Sequence, residues 1–369
     1  MKRSTIRGTD LAKANERQSD LELLRIFCML AIVSGHFLMQ SGLPVSDSLK
    51  TIILFTPFSM NARMACDVYV MIGAWFLVDK KFDIKRVIRI WIMTFFYSVS
   101  LTLITVYGLG RAENVTSGDI LNAFFPISCY PLWFAGFYMV LLLATPILNM
   151  ILDKFDRKQL KKGLIIYGFL SVFFVTFTNR PGFFSHDIWA MMYVYLLTGY
   201  IKRYVDIKGK QKAGLIIFLL CEAVIFVIKV IASDMFFLKG MGDSRIYAVV
   251  GHFAEFWSAD LFSAFLIAGS AGIFVVFYNI NIGSIKAINY IAGLLPGIYC
   301  FHQVPVFYPV LWEFVMSFYK AQTLGGRFLF YLAALLSVFL VGMVIELIRS
   351  SIMKPLPGAV ASLVNKRLL

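Results

Sequence analysis

Apolar runs of about 20 residues recur along the whole chain, and short clusters of basic residues separate them. An α-helix needs a stretch of about that length to cross the hydrocarbon core of a bilayer. A membrane β-barrel would show short alternating segments instead, so the pattern predicts an all-α integral membrane protein. We predict a bundle of about ten transmembrane helices, at residues 20–40, 62–78, 87–109, 131–152, 163–179, 188–201, 213–232, 257–279, 287–310 and 328–348.

Basic residues are distributed unevenly between the two sides of this predicted bundle. The two terminal segments and the loops on their side carry 25 Lys and Arg, and the opposite side carries eight. Because cytoplasmic loops accumulate Lys and Arg, both termini are expected in the cytoplasm. The resulting division is a cytoplasmic tail at 1–19, a transmembrane domain at 20–350 and a second cytoplasmic tail at 351–369.

The composition indicates which class of protein this is and which binding partners to expect. The chain is 59% hydrophobic and 15% charged, whereas soluble domains are about a quarter charged. The net charge of +14 comes from the loop clusters, so we expect contact with membrane lipid and none with nucleic acid. The five cysteines are mostly inside spans and show no disulfide or metal-ligand spacing, so no metal site is predicted.

The first span is apolar but carries three polar residues, Glu22, Arg25 and His36. Each costs roughly 2.5 to 3.5 kcal/mol at the centre of a bilayer, and less near its edges. Arg25 and His36 are 11 residues apart, about three helical turns, and Glu22 is one turn before Arg25. The three side chains therefore share one stripe of the helix, which we expect to face the bundle interior or a water-filled passage.

Two interpretations of this stripe remain open from the residues alone. Glu22 and Arg25 could be an ion pair at the end of a helix, with His36 a packed core histidine. Alternatively, the stripe is the wall of a passage that connects the two faces of the membrane. Intramembrane ionisable residues are functional by default, but the pattern alone does not decide between these interpretations.

Sequence blocks along the chain resemble the acyltransferase 3 family of bacterial membrane acyltransferases. The opening motif is Glu22-x-x-Arg25 followed by ten residues and His36. The further blocks, in the family's order, are "DVYVMIGAWFLVDKKF" on the second span, "KRVIRIW" with Arg86-x-x-Arg89, "LWFAGFYMVLLLATPIL" with Trp133, and "GIYCFHQVP" with Tyr299 and His302. The second-span block departs from the family pattern, because Ile72-Gly73-Ala74 replaces the usual Ser-Gly pair.

The resemblance implies transfer of an acyl group, usually acetyl from acetyl-CoA, to a carbohydrate hydroxyl at the cell surface. Acyl-CoA would be the donor substrate, with no bound cofactor. The acceptor would be a surface polysaccharide or a lipid-linked glycan, and polysaccharide-assembly proteins are candidate partners. The expected location is the cytoplasmic membrane of a bacterium, which the protein would cross several times.

The resemblance also suggests roles for individual residues. Arg86 and Arg89 are expected to bind the donor phosphates, although a basic loop also sets orientation alone. We expect His36 to act as general base on the acceptor hydroxyl, and a transient acyl-His36 is the alternative. Arg25, oriented by Glu22, would bind the donor or shape the passage.

Three later residues are candidates for an acceptor site or cavity wall: His302, Tyr299 and Trp133. His302 lies at a depth similar to that of His36, and its alternative role is a packing histidine. We expect Pro296 and Pro305 to interrupt the helix around it. Trp312 is expected to anchor the helix at the membrane interface.

The competing functional class is a proton-coupled transporter or a polysaccharide exporter. A passage lined by His, Arg and Glu suits a carrier as well as an enzyme. Transporters often show repeated halves, and the sequence has no repeat that we detect. Dependence on an acyl donor would separate the two classes, because a carrier moves solute without forming a covalent product.

Overall fold

The computed structural model describes residues 19–127, 132–178 and 186–368, and these residues form helices without a strand. The predicted N-terminal tail lies almost entirely outside the described residues. The helices are α1 Ser19–Gln40, α2 Leu49–Ser59, α3 Ala62–Leu77, α4 Ile84–Leu103, α5 Ser117–Phe124, α6 Trp133–Lys154, α7 Arg157–Gly168, α8 Phe174–Thr178, α9 Asp187–Tyr204, α10 Gln211–Ser233, α11 Arg245–Ala259, α12 Ala264–Tyr278, α13 Lys286–Ala292, α14 Leu295–Gln303, α15 Tyr308–Met316, α16 Leu324–Ile352 and α17 Leu356–Leu368.

Several helices continue through a short turn of π-helix. These turns are Ile104–Gly108 after α4, Phe169–Phe173 between α7 and α8, and Asp234–Leu238 after α10. Each turn extends an apolar helix, so α7 and α8 together form one span of 22 residues from Arg157 to Thr178.

Within the described ranges every predicted span is largely helical, although the eighth and ninth are divided between successive helices, and not every helix is long and apolar enough to cross a membrane. Within the described ranges, seven are, or eight if the bent pair Lys286–Gln303 and Tyr308–Met316 forms one span. Of the others, α3 has only 16 residues, and α9 carries three charged residues among its 18. The count of ten therefore stays a prediction, while the multi-pass, all-helical class is confirmed.

The short helix α3 lies at the centre of the bundle. Eleven of its 16 residues are buried, and it packs against α1, α9 and α12. By contrast, the span formed by α10 and the turn after it has 17% of its apolar window buried inside the protein. Neighbouring helices therefore cover most of α3, whereas most of the α10 surface is not covered by protein.

The ninth predicted span is broken in the structure. The helix is interrupted between α13 and α14, close to Pro296, and again between α14 and α15, where Pro305 lies. The second break turns the chain by 86°. Proline lacks the N–H that a continuous helix requires, so both predicted interruptions occur where the prolines are. The short helix α14 is thereby held inside the bundle, against α1, α4 and α16.

Both ends of the described chain lie at one end of the bundle. Ser19 begins α1 beside α13, and α17 packs on the first turns of α4 through Ala361, Ile88 and Ile92. We call this the basic end, because Arg86 and Arg89 on α4 lie here, and the opposite one the far end. The placement agrees with termini on the same side, while their location in the cytoplasm stays a prediction.

Candidate active site

The structure brings together His36 of α1 and His302 of α14, which are 266 residues apart in sequence. The Nδ1 atom of His36 lies 3.0 Å from Nε2 of His302. His302 is fully buried, whereas His36 is partly exposed. The broken ninth span makes this possible, since the short α14 places His302 directly beside α1. His302 is therefore a direct partner of His36.

The hydrogen bonds determine which nitrogen atoms carry protons in the neutral pair. Nδ1 of His302 lies 2.6 Å from the carbonyl oxygen of Ile298, and a carbonyl only accepts, so this nitrogen carries the proton. Nε2 of His302 must then accept a hydrogen bond from the Nδ1–H of His36. The remaining nitrogen, Nε2 of His36, therefore has a free lone pair, as a general base requires.

Glu22 and Arg25 form the ion pair expected at the start of α1. Nη1 of Arg25 lies 3.1 and 3.3 Å from the two carboxylate oxygens of Glu22. The Glu22 side chain is 5% exposed, and that of Arg25 is 22% exposed. Nε of Arg25 is buried without a hydrogen-bond partner in the described part of the chain. The ion-pair interpretation is thus correct for these two residues, but it leaves one donor of Arg25 unused.

A cavity of about 170 Å³ follows the predicted stripe of α1. Its wall contains Arg25, Met29 and Ile32, three residues at helical spacing whose stripe continues at His36 one turn later. Opposite them lies Tyr299, whose ring centroid is 6.2 Å from that of His302. This buried cavity therefore ends about one turn short of the histidine pair.

A second cavity of about 410 Å³ opens at the basic end and adjoins the buried cavity. The two cavities share Arg25, Ile90 and Tyr138. Arg86 and Arg89 also line this second, basic cavity. The two together run from the basic end to Tyr299, about one turn short of the histidine pair, so a passage that connects the two faces stays a prediction.

The basic residues near this opening fall into two groups. Lys202 is paired with Asp79 at 2.6 Å, and Arg203 with Asp153 at 2.6 Å. Partial burial raises the pKa of the Asp79 carboxyl, but the hydrogen bond from Lys202 and the nearby positive charges outweigh it and hold that pKa below its usual value. By contrast, Arg86 and Arg89 make no ion pair within the described ranges, so their charges face the cavity uncompensated.

Trp133 lies away from the passage, at the first turn of α6. The guanidinium carbon of Arg63 stacks 4.2 Å from the centroid of its ring, and Arg63 also pairs with Asp187 at 3.1 Å. The neighbouring residue Phe134, not Trp133, lines the buried cavity. Of the three later candidates, the structure therefore brings His302 and Tyr299 together and leaves Trp133 in a separate cluster.

Sequence reasoning missed Tyr138 at the site and a buried carboxyl on α3. Tyr138 lines both parts of the passage, and a Cβ at Gly73 would lie 2.5 Å from its hydroxyl oxygen. The departure from the family's Ser-Gly pair thus retains the glycine that Tyr138 requires. Asp67 on α3 is fully buried, and neither carboxylate oxygen has a hydrogen-bond partner among the described residues. A charged residue inside the second predicted span was the available signal for Asp67.

Trp312 is not an interface anchor, and that prediction was wrong. Its side chain is 1% exposed, and its indole Nε1–H donates to the Gln40 side-chain oxygen at 2.9 Å. The 86° turn between α14 and α15 directs α15 back against α1, so Trp312 packs on Phe37 inside the bundle. These residues lie just beyond His36, between the histidine pair and the far end.

Comparison with known proteins shows the family of this chain. Residues 18–347 match the model of a family described as an acyltransferase domain, the acyltransferase 3 family. The chain belongs to the acyltransferase 3 family. No curated protein and no solved structure matches it. As a member of this family with several apolar helices, the chain is a multi-pass membrane acyltransferase.

Proposed function

We propose that this acyltransferase 3 protein moves an acyl group, acetyl above all, from acyl-CoA to a hydroxyl of a surface polysaccharide or lipid-linked glycan, with His36 as general base. The carrying observation is the histidine pair, which leaves Nε2 of His36 unprotonated about one helical turn beyond the end of a passage from the basic end. The acyltransferase family supports the reaction class, and the passage supports an elongated donor.

The donor would enter from the basic end with its phosphates outermost. Arg86 and Arg89 are available for phosphate because no carboxylate in the described part of the chain neutralises them. The narrow pantetheine arm would then follow the passage past Arg25, which lines both parts of it and would donate from its guanidinium to one of the amide oxygens of the arm. This arrangement directs the thioester toward Tyr299 and the histidine pair.

The acceptor would approach from the far end. His36 is 17 residues from the first residue of α1 and four from its last, about 26 Å from one end and 6 Å from the other. A base near the far end suits an acceptor outside the cytosol, and a passage from the basic end suits a cytosolic donor. The two substrates would therefore meet at His36 without exchanging sides.

In the proposed step, Nε2 of His36 takes the proton of the acceptor hydroxyl while its oxygen attacks the thioester carbonyl carbon. The new C–O bond forms, the C–S bond breaks, and the CoA thiolate receives the proton from His36 as it leaves. His302 orients the ring, since its Nε2 accepts the Nδ1–H that the imidazolium retains. The Ile298 carbonyl holds His302 in the required tautomer.

The test is transfer of radiolabelled acetyl from acetyl-CoA to glycan in membranes that contain the protein. General-base catalysis is typically worth about 10²- to 10⁴-fold, so His36→Ala is expected to lose that much transfer per folded molecule. His252→Ala, a histidine of α11 outside the passage, is the control. Unchanged transfer in His36→Ala would overturn the assignment. In the unchanged protein, radiolabel that becomes attached to His36 when no acceptor is present would indicate the acyl-His36 route.

The orientation can be tested separately with reporter tags on the two termini. The proposal requires the basic end, where both described chain ends lie, to face the cytosol. Both tags are therefore expected to report a cytoplasmic location. A tag exposed outside the cell would place Arg86 and Arg89 on the wrong side for a cytosolic donor.

A further inference from the structure

A third cavity, of about 690 Å³, adjoins the passage at the basic end. It shares Lys80 with the basic cavity and lies between the α3–α4 connection and the last turns of α6. Its wall includes Lys81, Phe82 and Lys154. We call it the side cavity. Its volume falls in the range of small-molecule sites, and nothing in the reaction proposed above uses it.

The side cavity carries positive charge that the protein itself does not neutralise. Asp79 and Asp153 are engaged by Lys202 and Arg203, at 2.6 Å each. Lys80, Lys81 and Lys154 make no ion pair within the described ranges. Lining residues of the side and basic cavities together include seven basic and three acidic side chains, a surplus of four positive charges. Such a surplus fits a ligand with several phosphate charges.

The cavity also offers an aromatic surface. Phe82 lines it and is 44% exposed, in the short connection between α3 and α4. An exposed phenyl ring beside lysines without an ion-pair partner is a suitable surface for a nucleobase, since aromatic side chains stack on any of the bases. The combination therefore points to a nucleotide rather than to inorganic phosphate or to a lipid headgroup.

We propose that the side cavity binds the adenosine 3′-phosphate end of the CoA donor. In this arrangement Lys81 and Lys154 contact the 3′-phosphate, Phe82 stacks on the adenine, and Arg86 and Arg89 hold the diphosphate. Lys80 lies between the two groups, where the two cavities meet. This inference rests on the proposed function, and it adds a selectivity: the enzyme distinguishes CoA from dephospho-CoA.

The first experiment measures binding of CoA and of dephospho-CoA to the purified full-length protein in detergent. Hydrogen bonds to charged groups are worth about 1.5 to 3 kcal/mol, so dephospho-CoA is expected to bind about 10- to 100-fold more weakly. Equal affinity for the two ligands would overturn the proposal. Binding is chosen because it does not depend on an acceptor or on transfer.

The second experiment assigns the selectivity to residues. Lys81→Ala/Lys154→Ala is expected to weaken CoA binding about 10- to 100-fold and leave dephospho-CoA binding unchanged, so that the ratio falls to about one. Lys158→Ala/Lys162→Ala removes two exposed lysines of α7 outside both cavities and is the matched control. Phe82→Ala is expected to weaken both ligands equally. A lysine variant that retains the selectivity would contradict the assignment.

The outcomes separate this proposal from the proposed function. Strong preference for CoA with no transfer of acetyl supports the side cavity and rejects the reaction. Acetyl transfer from both acetyl-CoA and acetyl-dephospho-CoA with equal KM supports the reaction and rejects the side cavity. Failure to bind CoA at all rejects both.

Discussion

The chain contains the same short pattern, Glu-x-x-Arg, near the start of its first long helix and near the end of its last. Glu22 and Arg25 form one pair in α1, and Glu346 and Arg349 form the other in α16. Both glutamates are almost completely buried, with side chains 5% and 4% exposed. Both pairs belong to the same end of the bundle, yet their surroundings differ.

The pair in α16 is closed on itself. Arg349 donates from Nε and Nη2 to the two oxygens of Glu346, at 2.6 Å each, and Tyr97 donates to Glu346 at 2.9 Å. Its arginine side chain is 10% exposed. The pair in α1 is open, because Arg25 bonds Glu22 through Nη1, keeps an unpartnered Nε and lines both parts of the passage.

The comparison shows that an ion pair between neighbouring turns does not by itself indicate a role. The pair in α16, in which Nε and Nη2 of Arg349 both bond Glu346, also accepts from Tyr97 and so connects α16 to α4. The pair in α1 has an arginine that lines both parts of the passage, so this arginine can contact a ligand there. We therefore expect changes to the closed pair to lower stability and changes to the open pair to lower transfer.

The largest effect is expected for Arg349→Ala. Removing one partner of a buried ion pair typically lowers the free energy of unfolding by about 3 to 5 kcal/mol, because the other partner remains as an uncompensated buried charge. In Arg349→Ala that charge is the Glu346 carboxylate. The measurement is the melting temperature in detergent, together with the amount of protein inserted in the membrane. Transfer per folded molecule should remain close to that of the unchanged protein. An unchanged melting temperature in Arg349→Ala would show that the closed pair does not stabilise the packing of α16 on α4.

Arg25→Ala is expected to lower transfer instead, by about 10- to 100-fold, because it removes a charged donor from the passage. Its effect on melting temperature should be smaller than that of Arg349→Ala, since the Arg25 side chain is 22% exposed and that of Arg349 is 10% exposed. Arg25→Lys keeps the charge but loses Nε and is the conservative control. Normal kcat/KM for the donor in Arg25→Ala would refute the distinction between the pairs.

Gly73→Ala should change the shape of the passage that Arg25 lines. The added Cβ would overlap the Tyr138 hydroxyl, and overpacking of this kind costs about 1 to 3 kcal/mol. We expect weaker donor binding and lower stability. Tyr138→Phe in the same chain removes the hydroxyl and should restore both. Absence of this rescue would mean that Gly73 acts in some other way.

The smallest effects are expected for the two tyrosines that support the pairs. Tyr97→Phe removes the hydrogen bond to Glu346, and Tyr69→Phe removes the one to the Arg25 carbonyl at 2.9 Å. Each should cost about 1 kcal/mol of stability. Only Tyr69→Phe should also reduce transfer, because Tyr69 lines the buried cavity. Equal loss of transfer in both variants would contradict the comparison.

Much of the site could be predicted because it lies on one helix. The spacing of Arg25 and His36 predicts one stripe, and Met29 and Ile32 between them line the cavity as helical periodicity requires. The ion pair of Glu22 and Arg25 was predictable for the same reason. Contacts between residues a few turns apart follow from the local geometry of the helix.

Contacts between different helices could be predicted less well from the sequence. Trp312 was assigned to the membrane interface because tryptophan is enriched there, and only the 86° turn before α15 places it inside the bundle. Likewise, the span count of ten treats every apolar run alike, whereas the central helix α3 has 16 residues and is enclosed by other helices. Hydropathy measures whether a segment avoids water, and it does not distinguish lipid from protein as the alternative.

The sequence by itself determined the membrane class, the family blocks and the stripe of polar residues on α1, because these depend on composition, order and helical period. The tertiary structure decided which of those residues meet. It placed His302 against His36, and the Ile298 carbonyl then leaves Nε2 of His36 free. It also closed one Glu-x-x-Arg pair and left the other open. Protonation and hydrogen-bond partners depend on neighbours distant in sequence, and only the packing of helices brings those neighbours together.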